Sequence, residues 1–272
     1  MTSPLTRGVV YVATGPSFAA EAAESRASLR RSNPDLPAAL FTDIDSPAGD
    51  WQRVIRVDAP SHSLRDKLQM RFSPWDLTLF LDTDTFVAMD ISHLFDLLAD
   101  GFDLIGHQLY EGHDYLLEGV PAAFPEFNTG VLGFRQAPAV QRFFDEWAKQ
   151  YDRFLPVNAN DQQSFRQALY HSGLRHSVIP PEYNFRPLAT NFAIMGLHIV
   201  HGRPLSAMPA LKAKMDVNLV HRAWVPRLGC VVSDMMTPGQ AWRLWLAASL
   251  ELLRTGTRPL RKRFARLFRP HS

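Results

Sequence analysis

One cysteine, Cys230, stands among 272 residues, and that scarcity removes two classes of protein at once. A disulfide framework and a multi-cysteine zinc site both need several thiols within the chain. No apolar stretch approaches the roughly 18 residues that cross a bilayer. Residues Met1 to Gly8 lack the basic start and apolar run of a secretory signal. The expectation is a cytoplasmic protein in a reducing compartment. Acidic residues are missing too, but only locally. After Glu251 there is none, while Arg254, Arg258, Arg261, Lys262, Arg263, Arg266 and Arg269 follow. Those seven taken from 29 basic residues leave 22 on a body that carries all 27 acidic ones. A basic end on a mildly acidic body points to an anionic surface. No nucleic-acid motif accompanies the charge, so nucleic acid is not an expected partner.

What is present alternates between two patterns. Gly8 to Ala13 is a β-branched apolar run, closed by the turn Thr14-Gly15-Pro16-Ser17. Phe18 to Arg31 reads as an alanine-rich helix with Ser17 as its cap. Short strands follow at Ala38 to Thr42 and Arg53 to Val57, then a helix over Leu64 to Phe72. Leu77 to Leu81 is a continuous apolar run of the buried-strand kind. Strand–helix alternation predicts an open, mostly parallel sheet flanked by helices, an α/β class. Further strands are expected at Asp103 to Gly106, Gly130 to Phe134, Ser177 to Ile179 and Leu197 to His201, the last in the core. Ala139 to Tyr151 and Asp161 to Tyr170 read as helices, and Phe143, Phe144 and Trp147 as core residues. The chain divides into a domain over residues 1–235 and a helical basic tail over 236–272.

Two carboxylates, Asp82 and Asp84, leave the end of the apolar run Leu79-Phe80-Leu81. In open α/β sheets the ligand crevice lies at the carboxyl ends of the strands. On extended backbone two acids two residues apart point to opposite faces, but a turn brings both toward one cation. Magnesium and manganese take oxygen ligands and bridge the oxygens of a diphosphate. Asp-x-Asp is short, and about one chance match is expected in a chain this size. Thr42-Asp43-Ile44-Asp45 is such a match, and a turn is its expected role.

Four segments, in order, resemble the family 8 glycosyltransferases. These are Val9-Val10-Tyr11-Val12-Ala13-Thr14 with Ser28 to Pro34, and Lys67-Leu68 with Phe80 to Thr85. Phe127-Asn128-Thr129-Gly130-Val131-Leu132 with Asn160 to Phe165 is the third, and Ile199-Val200-His201-Gly202 the fourth. The resemblance covers roughly residues 8 to 205 and implies a GT-A, Rossmann-like fold. It further implies manganese or magnesium on Asp82, Asp84 and His201. A nucleotide-diphosphate sugar donor, a uridine diphosphate sugar foremost, would meet Ala13, Thr14, Phe18, Lys67 and Thr83. Asn128, Asp161 and Gln162 would face the sugar or its phosphates, and transfer would retain configuration. Gln162 matches the position beneath the anomeric carbon; an amide is a poor nucleophile, which favours front-face attack. The late motif departs from the family. His198 also stands near the expected ligand, but alternation sends it to the face opposite His201, and His201 is nearer the strand end. Arg203 or Lys212 takes the place of the family's lysine.

Other readings of the chain are a haloacid-dehalogenase-like phosphatase and a non-catalytic nucleotide- or carbohydrate-binding protein. The first is disfavoured by Phe86, where such enzymes carry threonine or valine. His107, His113 and His176 are assigned no role, and Cys230 is expected to be buried and inert. Leu260, Phe264, Leu267 and Phe268 line one side of a basic helix over Pro259 to Phe268. Residues 254–271 are therefore expected to meet an anionic membrane surface, near a glycan or lipid-linked acceptor.

Overall fold

Leu77–Leu81 is a fully buried strand, and the residues that follow it carry the two acids. The computed structural model describes residues 5–109, 116–155, 159–217, 219–233, 236–246 and 248–250. In chain order β1 is Arg7–Val12, α1 Pro16–Ser32, β2 Ala38–Thr42, β3 Arg53–Arg56, β4 Leu77–Leu81, β5 Thr85–Val87 and α2 Leu94–Ala99. Then come β6 Leu104–Gln108, β7 Phe127–Arg135, α3 Pro138–Phe154, α4 Gln162–Ser172, β8 His176–Val178 and β9 Asn191–Ala193. Last are β10 Ile199–His201, α5 Met208–Met215, β11 Arg222–Val225 and β12 Cys230–Ser233.

Seven strands form the central sheet in the order β3-β2-β1-β4-β7-β6-β8. β3, β2, β1 and β4 run parallel, β7 runs against both β4 and β6, and β8 is parallel to β6. The expected mostly parallel α/β sheet is what the chain forms. β1, β2 and β4 are apolar at nearly every position because both faces of the sheet are covered. On one face Leu79 and Leu81 pack with Leu29, Leu94 and Phe95. On the other, Phe80, Phe127 and Phe134 meet Phe143, Phe144, Trp147 and Phe165 of α3 and α4. The three aromatics assigned to the core are all there.

Several local expectations are corrected. The cap of α1 is Gly15 rather than Ser17, because Pro16 occupies the first turn and the backbone must enter it at φ 87°. The helix expected over Leu64–Phe72 is present with those bounds, wound as a 3₁₀ helix. The strand expected from Gly130 begins earlier, at Phe127, so Asn128 and Thr129 also lie within β7. The strand expected at Leu197 to His201 shrinks to Ile199–His201 and leaves the core sheet, pairing antiparallel with β5. Hydrophobicity marks a strand as buried but does not choose its partner. β9, β11 and β12 form a separate three-stranded sheet in the order β12-β11-β9. Cys230 begins β12 and is half-buried, not buried; what burial it has raises its thiol pKa. Residues 236–246 and 248–250 of the expected tail are described, whereas His113 and the amphipathic run 259–268 lie outside the described residues.

Candidate active site

β4 ends at Leu81, and the next residues turn sharply: Thr85 N donates to Asp82 O at 3.2 Å, and Thr85 Oγ1 reaches the same oxygen at 2.8 Å. The turn answers the alternation problem, since both acids now face one cavity of about 380 Å³. β10 lies against β5 with His201 opposite Thr85, which delivers the imidazole to that turn. His201 Nε2 is 3.1 Å from Asp84 Oδ1 and 3.8 Å from Asp82 Oδ2. One ligand atom from each of Asp82, Asp84 and His201 lies within 4.8 Å of the other two.

The tautomer of His201 follows from its partners. Asn184 Nδ2 donates to Asn128 Oδ1 at 2.9 Å, so Asn184 Oδ1 is left facing His201 Nδ1 at 2.8 Å. An oxygen there requires the proton on Nδ1. For a neutral ring, Nε2 then presents a lone pair to two carboxylates. Three such atoms converge stably only around a shared proton or a cation, so the set fits a divalent ion. Gly130 makes the convergence possible. A Cβ there would stand 2.1 Å from His201 Cε1 and 2.7 Å from Asp82 Oδ2.

Electrostatics differ between the two acids. Burial pushes the Asp82 carboxyl up, against the pull of Lys67 and His201. Asp84 is also penalised by burial, but His201 and Arg203 together hold it well below the usual carboxylate range. Lys67 is buried, 3.1 Å from Asp82 Oδ2 and 3.3 Å from Asp161 Oδ2. Burial opposes its charge, yet Asp161 and Asp82 raise its pKa, so it stays an ammonium.

The expected residues divide into two groups. Thr14, Phe18, Lys67, Asp82, Thr83, Asp84 and His201 line the cavity; Ala13, Asn128, Asp161 and Gln162 are not among its lining residues. Ala13 is in the core beside it. Asn128 serves the chain that orients His201. Asp161 begins α4 without capping it; its carboxylate accepts from Thr129 Oγ1 at 2.8 Å instead. Gln162 is buried, its Oε1 accepting from Asn160 Nδ2 at 3.2 Å. His198 turns away: it stacks on Tyr183 at 4.4 Å, and its Nδ1 lies 2.6 Å from Asp90 O. Of the two candidate cations, Arg203 is at the cavity and Lys212 pairs with Asp216 elsewhere.

Two groups escaped sequence reading. Glu21 of α1 takes Arg203 in a bidentate pair at 2.6 and 2.7 Å and also accepts from Thr83 Oγ1. Arg203 Nη1 continues to Asp84 Oδ2 at 3.0 Å. Asp66 is the other. Its carboxylate accepts from Thr14 Oγ1, the Ser61 amide and hydroxyl, and the His62 amide, all within 2.8 Å. Burial opposes the Asp66 charge, but these donors lower its pKa. Neither Glu21 nor Asp66 sits in a motif; only spacing in the fold reveals them. Asp43 accepts from Gly15 N at 2.8 Å, where β1 gives way to α1.

No family model and no curated protein matches the sequence. Solved structures do match in fold. The galactosyltransferase LgtC, in complex with donor and acceptor sugar analogues, aligns over 72% of this chain and 87% of its own, at TM-score 0.56 and 16% identity. The glycosyltransferase GlyE of Streptococcus pneumoniae aligns over 90% of this chain and 64% of its own, at TM-score 0.52 and 17% identity. This chain thus shares the GT-A fold of these glycosyltransferases, a seven-stranded, mostly parallel sheet flanked by helices.

Proposed function

We propose that the protein is a retaining glycosyltransferase. It moves a hexose from a nucleotide-diphosphate sugar, a uridine diphosphate sugar foremost, to a glycan or lipid-linked acceptor. The observation that carries this reading is the convergence of Asp82, Asp84 and His201 at the end of β4, within a cavity that also holds Lys67 and Arg203. Asp82, Asp84 and His201 would hold manganese or magnesium, which neutralises charge gathering on a departing diphosphate.

This chain's own residues supply the rest. Thr14 and Phe18 border the part of the cavity where a nucleoside would lie, with Phe18 half exposed as a stacking face. Arg203 offers a planar fork suited to phosphate oxygens once it leaves Glu21 and Asp84. Lys67 places a permanent positive charge beside Asp82. In the transfer the bond from anomeric carbon to diphosphate oxygen breaks, and its electron pair leaves with the diphosphate. The acceptor hydroxyl forms the new bond on the same face and passes its proton to the departing phosphate. Asp161, behind the cavity wall, would act on the sugar through Lys67, 3.3 Å away, and Gln162 beside it would reach the ring once it leaves Asn160.

Thermal-shift assays with a panel of nucleotide sugars, with and without manganese, test the reading. Stabilisation by a uridine diphosphate sugar that needs the metal and disappears in Asp84→Ala is expected. Release of phosphate from simple phosphomonoesters, with no shift for any donor, would overturn it.

A further inference from the structure

The last described helix turns its large apolar side chains outward. Residues 238–246 and 248–250 are helical, and Trp242, Trp245, Leu246 and Leu250 are 61%, 58%, 46% and 59% exposed. At 3.6 residues per turn these four positions share one face, spanning about 140°. The two indoles stack at 5.0 Å with 21° between their planes. Leu244 and Ala248, on the opposite side, are half-buried, and Leu244 shares a crevice with Cys230 and Val231 of β12. The helix therefore rests on the body by its smaller apolar side and presents the tryptophans to solvent. An exposed aromatic and leucine face of this kind marks a contact surface.

What covers it is indicated by charge. Arg243 flanks the face, and the sequence beyond Glu251 carries seven arginines and lysines and no acid. Its first cation, Arg254, comes four residues after Leu250. A second copy docked on this face would bring two such basic segments together, which repel. An anionic surface complements them, and tryptophan side chains settle at the headgroup level of a bilayer. We propose that the Trp242–Trp245 face docks in the headgroup layer of a membrane containing anionic lipid, the helix lying in the membrane plane. This goes beyond the transferase reading and does not depend on it.

The full chain is sedimented with phosphatidylcholine vesicles, with and without phosphatidylglycerol, at low and high salt. Wild type should bind the anionic vesicles alone, and salt should weaken binding. The double variant Trp242→Ala/Trp245→Ala should lose on the order of tenfold in partitioning, because two interfacial anchors are gone. Its thermal midpoint should stay unchanged, since both rings are solvent-exposed. Quenching of tryptophan emission by brominated lipid should be present in wild type and lost in the variant. Equal binding by wild type and variant overturns the proposal, as does binding by neither. A dimer in solution that the variant abolishes would assign the face to a second copy. The donor shift with manganese, measured on the same variant, stays intact whichever way binding falls.

Discussion

Gly130 has no side chain because His201 and Asp82 occupy the space a Cβ would need. Gly130→Ala should force these groups apart, costing about 1–3 kcal/mol of stability and abolishing manganese binding. Denaturation midpoints and a manganese titration on one preparation check both, and an undisturbed metal affinity would contradict the geometry. Arg203 makes a prediction of two signs. Its guanidinium competes with any cation for Asp84 but suits a diphosphate. Arg203→Ala should therefore bind manganese alone several-fold more tightly and the manganese complex of a nucleoside diphosphate about tenfold more weakly. Calorimetric titrations of each ligand decide this; two changes of the same sign would refute the exchange. At this scale Asp82 and Asp84 carry a local mark, two carboxylates after an apolar run, whereas His201 came only with the family resemblance. Glu21 carried none. Its partners Thr83 and Arg203 are 62 and 182 residues away, and helix α1 could present it to either side.

Buried aromatic contacts hold the helices to the site. Trp147 of α3 lies edge-on to Phe165 of α4 at 4.9 Å, and its Nε1 donates to Ser164 Oγ and to Asp161 O. The ring thus fixes the start of α4, from which Asp161 reaches Lys67. Trp147→Ala should cost about 3–5 kcal/mol through the cavity it leaves. Urea titration measures the loss, and a change under 1 kcal/mol would mean that α3 and α4 are held by other contacts. Long periodic helices and apolar strands were readable because a buried face repeats along the chain. The place of β10 is not legible in the sequence, because so short an apolar run looks alike in a core sheet and in a two-stranded ribbon; only pairing with β5 distinguishes them.

The whole molecule should be sensitive to mild acid. His107 on β6 is buried, and burial pushes its pKa from 6.5 down to about 4, only partly offset by Ile179 O at 3.3 Å. The unfolded chain takes up the proton near 6.5, while the folded chain resists until about 4. Stability from this residue is therefore complete above 6.5 and falls away between 6.5 and 4, by about 3 kcal/mol. His107→Gln should flatten the dependence of the urea midpoint on pH across that window. An equally steep dependence in the variant would assign the acid sensitivity to other groups.

The sequence by itself determined the α/β alternation, the double-sided apolar strands and the acids at the end of β4, because each is written in neighbouring residues and in periods of two or 3.6. Tertiary structure alone decided that β7 runs antiparallel beside β4 and that β10 leaves the sheet for β5. It also turned His201 inward and His198 away, and withdrew the Asp161 carboxylate from capping its own helix. These choices depend on contacts between residues far apart in the chain, and a local pattern holds no record of the partner it will meet.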